Sequence, residues 1–204
     1  MPFKIAISGK MGSGKSTLAK TLKILCPTAK IISMAGKLKL VVNEVFNPEQ
    51  KDRKLLTTIA DLFKSIDQNV WVKCVDRETQ ISDHSWILDD LRYKYEYKYL
   101  KKKNWKTIRI IISPDIQLKR LKIKYKENYK THLEHFNHSS EIDLDDIPYD
   151  EYDVVVIYTT SNKFMVISKN KILTQGTCKG DHYMLLIGIS ILRGIGLFTN
   201  LKDQ

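Results

Sequence analysis

The chain is poor in several features, and each shortage narrows what it can be. It has three cysteines in 204 residues, Cys26, Cys74 and Cys178. Their number is odd and their spacing fits no metal site. They read as free thiols of a reducing compartment, not as a disulfide framework. No internal repeat and no low-complexity linker is present, which favours one domain with a sizeable core. Long apolar runs are missing too. The one run worth weighing, YMLLIGISILRGIGLF (183–198), is shorter than a bilayer-spanning helix needs and carries Arg193. Lys4 and the turn after it interrupt any early leader-like run. A cytoplasmic protein with no membrane partner is expected. Acids are in deficit: 34 Lys and Arg face 23 Asp and Glu, a formal charge of +11. A basic surface attracts polyanions, and both nucleotides and nucleic acids qualify.

Against these shortages stands ISGKMGSGKSTLA, residues 7–19. Gly9, Gly14, Lys15 and Ser16 spell G-x-x-x-x-G-K-S, the phosphate-binding loop pattern. The glycines, Gly12 among them, let the backbone fold back and aim N–H groups from Ser13 to Thr17 at one anion. Lys15 is placed to reach the outer phosphates, and the Ser16 hydroxyl to ligate Mg²⁺. The helix that follows turns its positive end towards the same anion. Context agrees: FKIAIS before the loop reads as a strand, and Leu18, Leu22 and Leu25 after it recur at helical spacing until Pro27. ATP with Mg²⁺ is the inferred ligand pair. Kinase, switch and motor all remain open on the loop alone.

Further on, KIISM (30–34), SWILDD (85–90), KTIRIIIS (106–113) and YDVVVIY (152–158) read as four more strands. Helices are predicted between them, near 36–46, from Asn47-Pro48 onward through Ile66, and over 71–79, 91–103 and 114–126. The alternation predicts an α/β chain: a three-layer P-loop NTPase fold with a five-stranded parallel sheet and helices on both faces. Ligands of such sheets bind at the carboxyl ends of the strands. Asp89 and Asp90 end one strand there, where a carboxylate can hold Mg²⁺ or orient an acceptor. Arg92 offers a planar fork for phosphate, and Glu96 one turn later can hold it.

The segment DLRYKYE (90–96) resembles the D-v-R-F-x-N-E element of viral deoxynucleoside monophosphate kinases, relatives of animal phosphomevalonate kinases. MAGKLK (34–39), DRKLLTTIAD (52–61), VWVKCV (70–75) and HSSEI (138–142) resemble further elements of that family, in order. The resemblance implies phosphoryl transfer from ATP to a deoxynucleoside monophosphate, a small-molecule partner, with a homodimer left open. It implies that Gly36 and Lys39 line the acceptor site, that Arg53 contacts the acceptor, and that Trp71 stacks near its base. Asp90 and Arg92 hold acceptor phosphate and Mg²⁺; His138 and Glu141 close the site. Arg120, in the lysine-rich LKRLKIKY, is the lid cation. It further implies a kinase domain over 1–160, with substrate-binding helices near 36–80 and a lid near 119–140. Residues 161–204 form an extension of unassigned role. Ala60, and Thr57 or Thr58, depart from the family's usual Gly and Gln. Two rivals stay open. One is a small-metabolite kinase of the phosphomevalonate kind. The other is an ATP-regulated nucleic-acid binder using RYKYEYKYLKKKNWK (92–106), although its tyrosines do not share one helix face.

Overall fold

The computed structural model describes residues 2–50, 52–81, 83–133, 136, 138–160, 163–179 and 182–197, with the backbone alone at 53, 131 and 132. Strand β1 (Lys4–Gly9) leads through the glycine-rich turn into α1 (Lys15–Leu25), and β2 (Lys30–Ile32) follows. Three helices come next: α2 (Met34–Phe46), α3 (Arg53–Ile66) and α4 (Val70–Gln80). Then β3 (Trp86–Leu91), α5 (Lys94–Lys102), β4 (Lys106–Ile112) and α6 (Pro114–Tyr125) alternate. Short α7 (Tyr129–Leu133) and α8 (Ser139–Ile142) precede β5 (Val154–Thr160). The chain closes with β6 (Lys163–Ser168), β7 (Lys171–Thr177) and α9 (His182–Gly194). Of the expected lid, residues 134, 135 and 137 lie outside the described residues.

The sheet runs β2-β3-β1-β4-β5-β6-β7. Its first five strands pair in parallel, while β6 and β7 are antiparallel. The expected five-stranded parallel sheet is therefore corrected to a mixed sheet of seven. The two added strands form a hairpin at Lys169-Asn170, whose φ values of 47° and 61° are both left-handed. Such a two-residue turn matches the twist of a hairpin, and asparagine tolerates it. Within β6, Phe164, Val166 and Ser168 are buried in alternation, the period of a strand with one face on the core.

The sheet separates two cores. Ile5 and Ile7 of β1 face Leu18 and Leu22 of α1, together with Ile187 and Ile191 of α9. Ala6, pointing the other way, joins Leu88, Val75, Trp71, Leu100 and Trp105. β1 is buried on both faces, as the central strand of a parallel sheet should be. Strands β6 and β7 and helix α9 thus supply a whole edge of the sheet and a helix against α1. Gly188 of α9 sits so close to α1 that a Cβ there would come within 2.6 Å of Leu25 Cδ1. Among the described residues, no helix is long and apolar enough to cross a membrane.

Removing the chain after Thr160 strips Phe164, Val166, Ile187, Ile191 and Leu192 from the core. Each is worth roughly 1.5–3 kcal/mol of burial, against a typical total stability of about 5–15 kcal/mol. The truncated chain is expected to lose its cooperative thermal transition by circular dichroism. A sharp transition near that of the full chain would show that the tail is dispensable.

Candidate active site

The loop between β1 and α1 takes its shape from glycine. Gly9 has φ 151°, and a Cβ there would lie 2.8 Å from the Ile110 carbonyl oxygen. Gly14, at φ 103°, is the N-cap of α1, and no side chain caps that helix. The first N–H groups of α1 thus keep no side-chain acceptor and face the turn, the arrangement that binds phosphate. Ser16 and Thr17 are exposed at this end, and the Ser13 side chain is buried beneath it. Lys15 folds across the loop: its Nζ donates to the Gly9 carbonyl at 2.5 Å and the Lys10 carbonyl at 3.1 Å. Burial, then the charge of Arg92, push its pKa down to about 8, against a pull upward from Glu141.

Helix α6 holds the loop from behind. Gln117 Nε2 donates to the Met11 carbonyl at 2.9 Å, and Arg120 Nη1 to the Ser13 carbonyl at 2.9 Å. The Arg120 guanidinium also lies 4.2 Å from the centre of the Tyr158 ring. The expected lid cation is thus packed against the loop itself. A third support is Glu141 of α8, which is buried. One of its oxygens accepts from the Met11 N–H at 2.5 Å, the other from Arg92 Nη1 at 2.5 Å. Lys10 and the buried Arg109 share the Asp145 carboxylate, at 2.9 Å and 2.5 Å.

Beyond Arg92 opens a cavity of about 810 Å³. Met34, Leu38 and Leu56 give it an apolar side; Trp71, Tyr93 and Tyr95 give it flat walls. Trp71 stacks on Phe63 at 5.4 Å, and Tyr93 on Tyr95 at 5.3 Å. Asp90, Arg92, Glu96 and His138 complete the lining used here. Trp71 and Arg92 therefore share one cavity.

Other expected positions fall elsewhere. Gly36 is part of the α2 cap: its N–H donates to Ser33 Oγ at 2.9 Å, and a Cβ would lie 2.7 Å from that oxygen. Lys39 lines a smaller cavity of about 340 Å³ with Glu49 and Asp52. Neither lines the large cavity. Arg53 opens α3, and its side chain lies outside the described residues. Asp90 differs most from its expected metal role. Its two oxygens accept from the Met34 and Ala35 N–H groups, at 2.9 Å and 2.8 Å, so it ties α2 to the end of β3. Burial drives its pKa up. Its neighbour Asp89 lies where the register of β3 against β1 shifts by one residue, and after Glu141 it is the second carboxylate whose charge reaches Lys15. Glu96 likewise spends one oxygen on the Arg92 and Tyr93 N–H groups, both at 3.0 Å. Burial raises its pKa to about 7. Arg109 and Gln117 were not singled out from the sequence. A lone arginine inside KTIRIIIS was a readable signal, whereas Gln117 left none.

The tyrosines of the 92–106 run are engaged within the fold. Tyr93 and Tyr95 line the cavity, the Tyr97 hydroxyl donates to the Glu151 carbonyl, and that of Tyr99 to Asp76. They form no open stacking platform of the kind single-strand binders use. Among the described residues, no group of three or more His, Cys, Asp or Glu side chains could hold a metal alone. A Mg²⁺ here needs phosphate oxygens among its ligands, its usual mode beside nucleotides.

Residues 5–145 match the family described as the AAA domain, and the chain belongs to that family. No curated protein matches it. The structure is similar to the tunicamycin resistance protein of Deinococcus radiodurans, with 14% identity and a TM-score of 0.55, over 97% of this chain and 98% of that one. It is also similar to the dephospho-CoA kinase of Campylobacter jejuni, with 16% identity and a TM-score of 0.54, over 96% and 98%. The likeness is one of fold, a P-loop kinase-like α/β architecture.

The lowered pKa of Lys15 has a measurable sign. Its ammonium binds phosphate only when protonated. Calorimetric affinity for tripolyphosphate should fall as pH rises through about 8. The folded protein itself gains stability over the same range, because the unfolded lysine keeps its proton longer. An affinity flat up to the ordinary lysine range would show that Lys15 does not carry the contact.

Proposed function

We propose that this member of the AAA domain family transfers the γ-phosphoryl group of ATP to a deoxynucleoside monophosphate. The observation that carries the reading is the position of Arg92. It lines the large cavity and is joined to the phosphate loop through a single carboxylate, Glu141. A cation thus stands between a donor cradle and an acceptor cavity with aromatic walls. Such walls suit a planar base.

In this reading the N–H groups from Gly12 to Thr17 and the Lys15 ammonium hold the β- and γ-phosphates. The Ser16 hydroxyl would hold Mg²⁺ together with phosphate oxygens, with Asp89 as a nearby carboxylate, and the ion would supply charge neutralisation there. Arg92 holds the acceptor phosphate in line, and Trp71 with Tyr93 and Tyr95 flanks the base. Arg53, at the start of α3, is a further candidate contact. Positioning and fixed positive charge supply most of the rate in phosphoryl transfer.

A hydroxyl-bearing metabolite is the rival acceptor, and it asks for a general base. Two acids of the cavity, half-buried Asp90 and buried Glu96, are committed to backbone N–H groups. A phosphate acceptor is already an anion and needs no base, which favours a monophosphate over a free hydroxyl; the aromatic walls in turn favour a base-bearing monophosphate over phosphomevalonate.

The test is ADP release from ATP and Mg²⁺ across deoxynucleoside and nucleoside monophosphates and phosphomevalonate. Lys15→Ala is expected to lower kcat by roughly 10²–10³, the usual cost of one lost transition-state donor. Trp71→Ala is expected to raise KM for base-bearing acceptors about tenfold or more, with a smaller change in KM for ATP. Turnover with phosphomevalonate alone moves the chain to a metabolite kinase. ADP release that no acceptor stimulates overturns the transfer reading.

A further inference from the structure

Glu141 is buried, and both of its oxygens are spent on one bridge. One meets the N–H of the loop residue Met11, the other the guanidinium that lines the acceptor cavity. A carboxylate held there by a backbone N–H and an arginine is bound the way a phosphate is bound.

We infer that Glu141 is an internal stand-in for phosphate: its carboxylate occupies the seat of the transferring group and must yield Arg92 and the Met11 N–H before transfer. The inference rests on the phosphotransferase reading only for the word transfer; the competition with phosphate stands on the loop alone. Two anions cannot share this seat cheaply, because the loss of water strengthens their repulsion. Phosphate on the loop therefore weakens the hold of Glu141 on Arg92, and Arg92 is released towards the acceptor. The latch keeps the cation from closing on a lone donor, so binding of donor and acceptor become coupled through it.

The segment that carries Glu141 is built to let go. Helix α8 has four residues, too few to be stable alone. Its anchors are ionic: Asp143 accepts from the Lys94 N–H at 2.6 Å, Asp146 pairs with Lys94 Nζ at 2.6 Å, and Asp145 meets Lys10 and Arg109. Ile142, the apolar residue of 138–143, is exposed, and the core anchor is Leu144 just beyond, so the part held by polar contacts is 138–143.

The probe is tripolyphosphate, which engages the loop without any acceptor or turnover. Glu141→Gln keeps the shape and removes the charge. It is expected to bind tripolyphosphate about tenfold more tightly by calorimetry, within the range of ordinary site coupling. It should also raise ATP hydrolysis in the absence of acceptor. Asp143→Asn loosens the same segment without removing the competing charge and is expected to tighten binding less than Glu141→Gln does. In the wild-type chain, hydrogen exchange over residues 138–146 should rise when tripolyphosphate is added, which needs no variant to fold. Weaker or equal binding by Glu141→Gln overturns the inference and leaves Glu141 as a residue that merely positions Arg92. Equal tightening by Asp143→Asn, or slower exchange in the wild type, overturns it as well. Tight tripolyphosphate binding by Glu141→Gln in a chain that transfers to no acceptor would retain the latch while rejecting the kinase.

Discussion

A phosphate loop must turn its N–H groups inward, and that forces its carbonyls outward, where something else has to satisfy them. Most of this structure around the site answers that constraint. Gly9 and Lys10 give their carbonyl oxygens to the Lys15 ammonium, and Lys10 also accepts from the Ser13 N–H. Met11 gives its carbonyl to Gln117, and Ser13 gives its own to Arg120. The loop has no core of its own, so these donors fix its shape. Helix α6 is thereby more than a cover. It is the brace that lets the turn present a fixed positive face.

Charge is distributed on the same edge of the sheet with little slack. Lys15, Arg92 and Arg109 converge there, opposed by Glu141, Asp145 and Asp89. Burial, and after it the charge of Arg92, makes Lys15 yield its proton more easily than usual. A bound anion would offset both costs, so part of the affinity for phosphate comes from relieving them. On the acceptor side two acids play a different part. Asp90 fastens α2 to β3, and Glu96 fastens the turn after β3 to α5. Each shapes the cavity wall by binding backbone rather than ligand.

The cavity draws on separate parts of the chain: α2, α3 and α4 on one side, and the β3–α5 turn with His138 and Ser139 on the other. Helix α3 has an apolar face but no buried residue among those described. Its apolar residues Leu56 and Ala60 look into the cavity instead of a core. A helix with so little packing behind it can move at small cost, which suits an acceptor site that has to shut out water around a transferring group.

The sequence by itself determined the local features: the glycine-rich turn between a strand and a helix, the order of the first five strands, the apolar faces, and the acids and arginine that end β3. Each depends on neighbours a few residues apart. The hairpin of β6 and β7 also turns on a local feature, Lys169-Asn170. Tertiary structure alone decided the rest. That Glu141 meets the Met11 N–H, 130 residues away, and that Asp90 caps a helix 55 residues before it, follow from how the sheet edge gathers its loops. A carboxylate's role depends on what stands opposite it. The sequence named Asp90 and Glu141 as chemically significant, but only the packed sheet set backbone N–H groups in front of one and a loop and an arginine in front of the other.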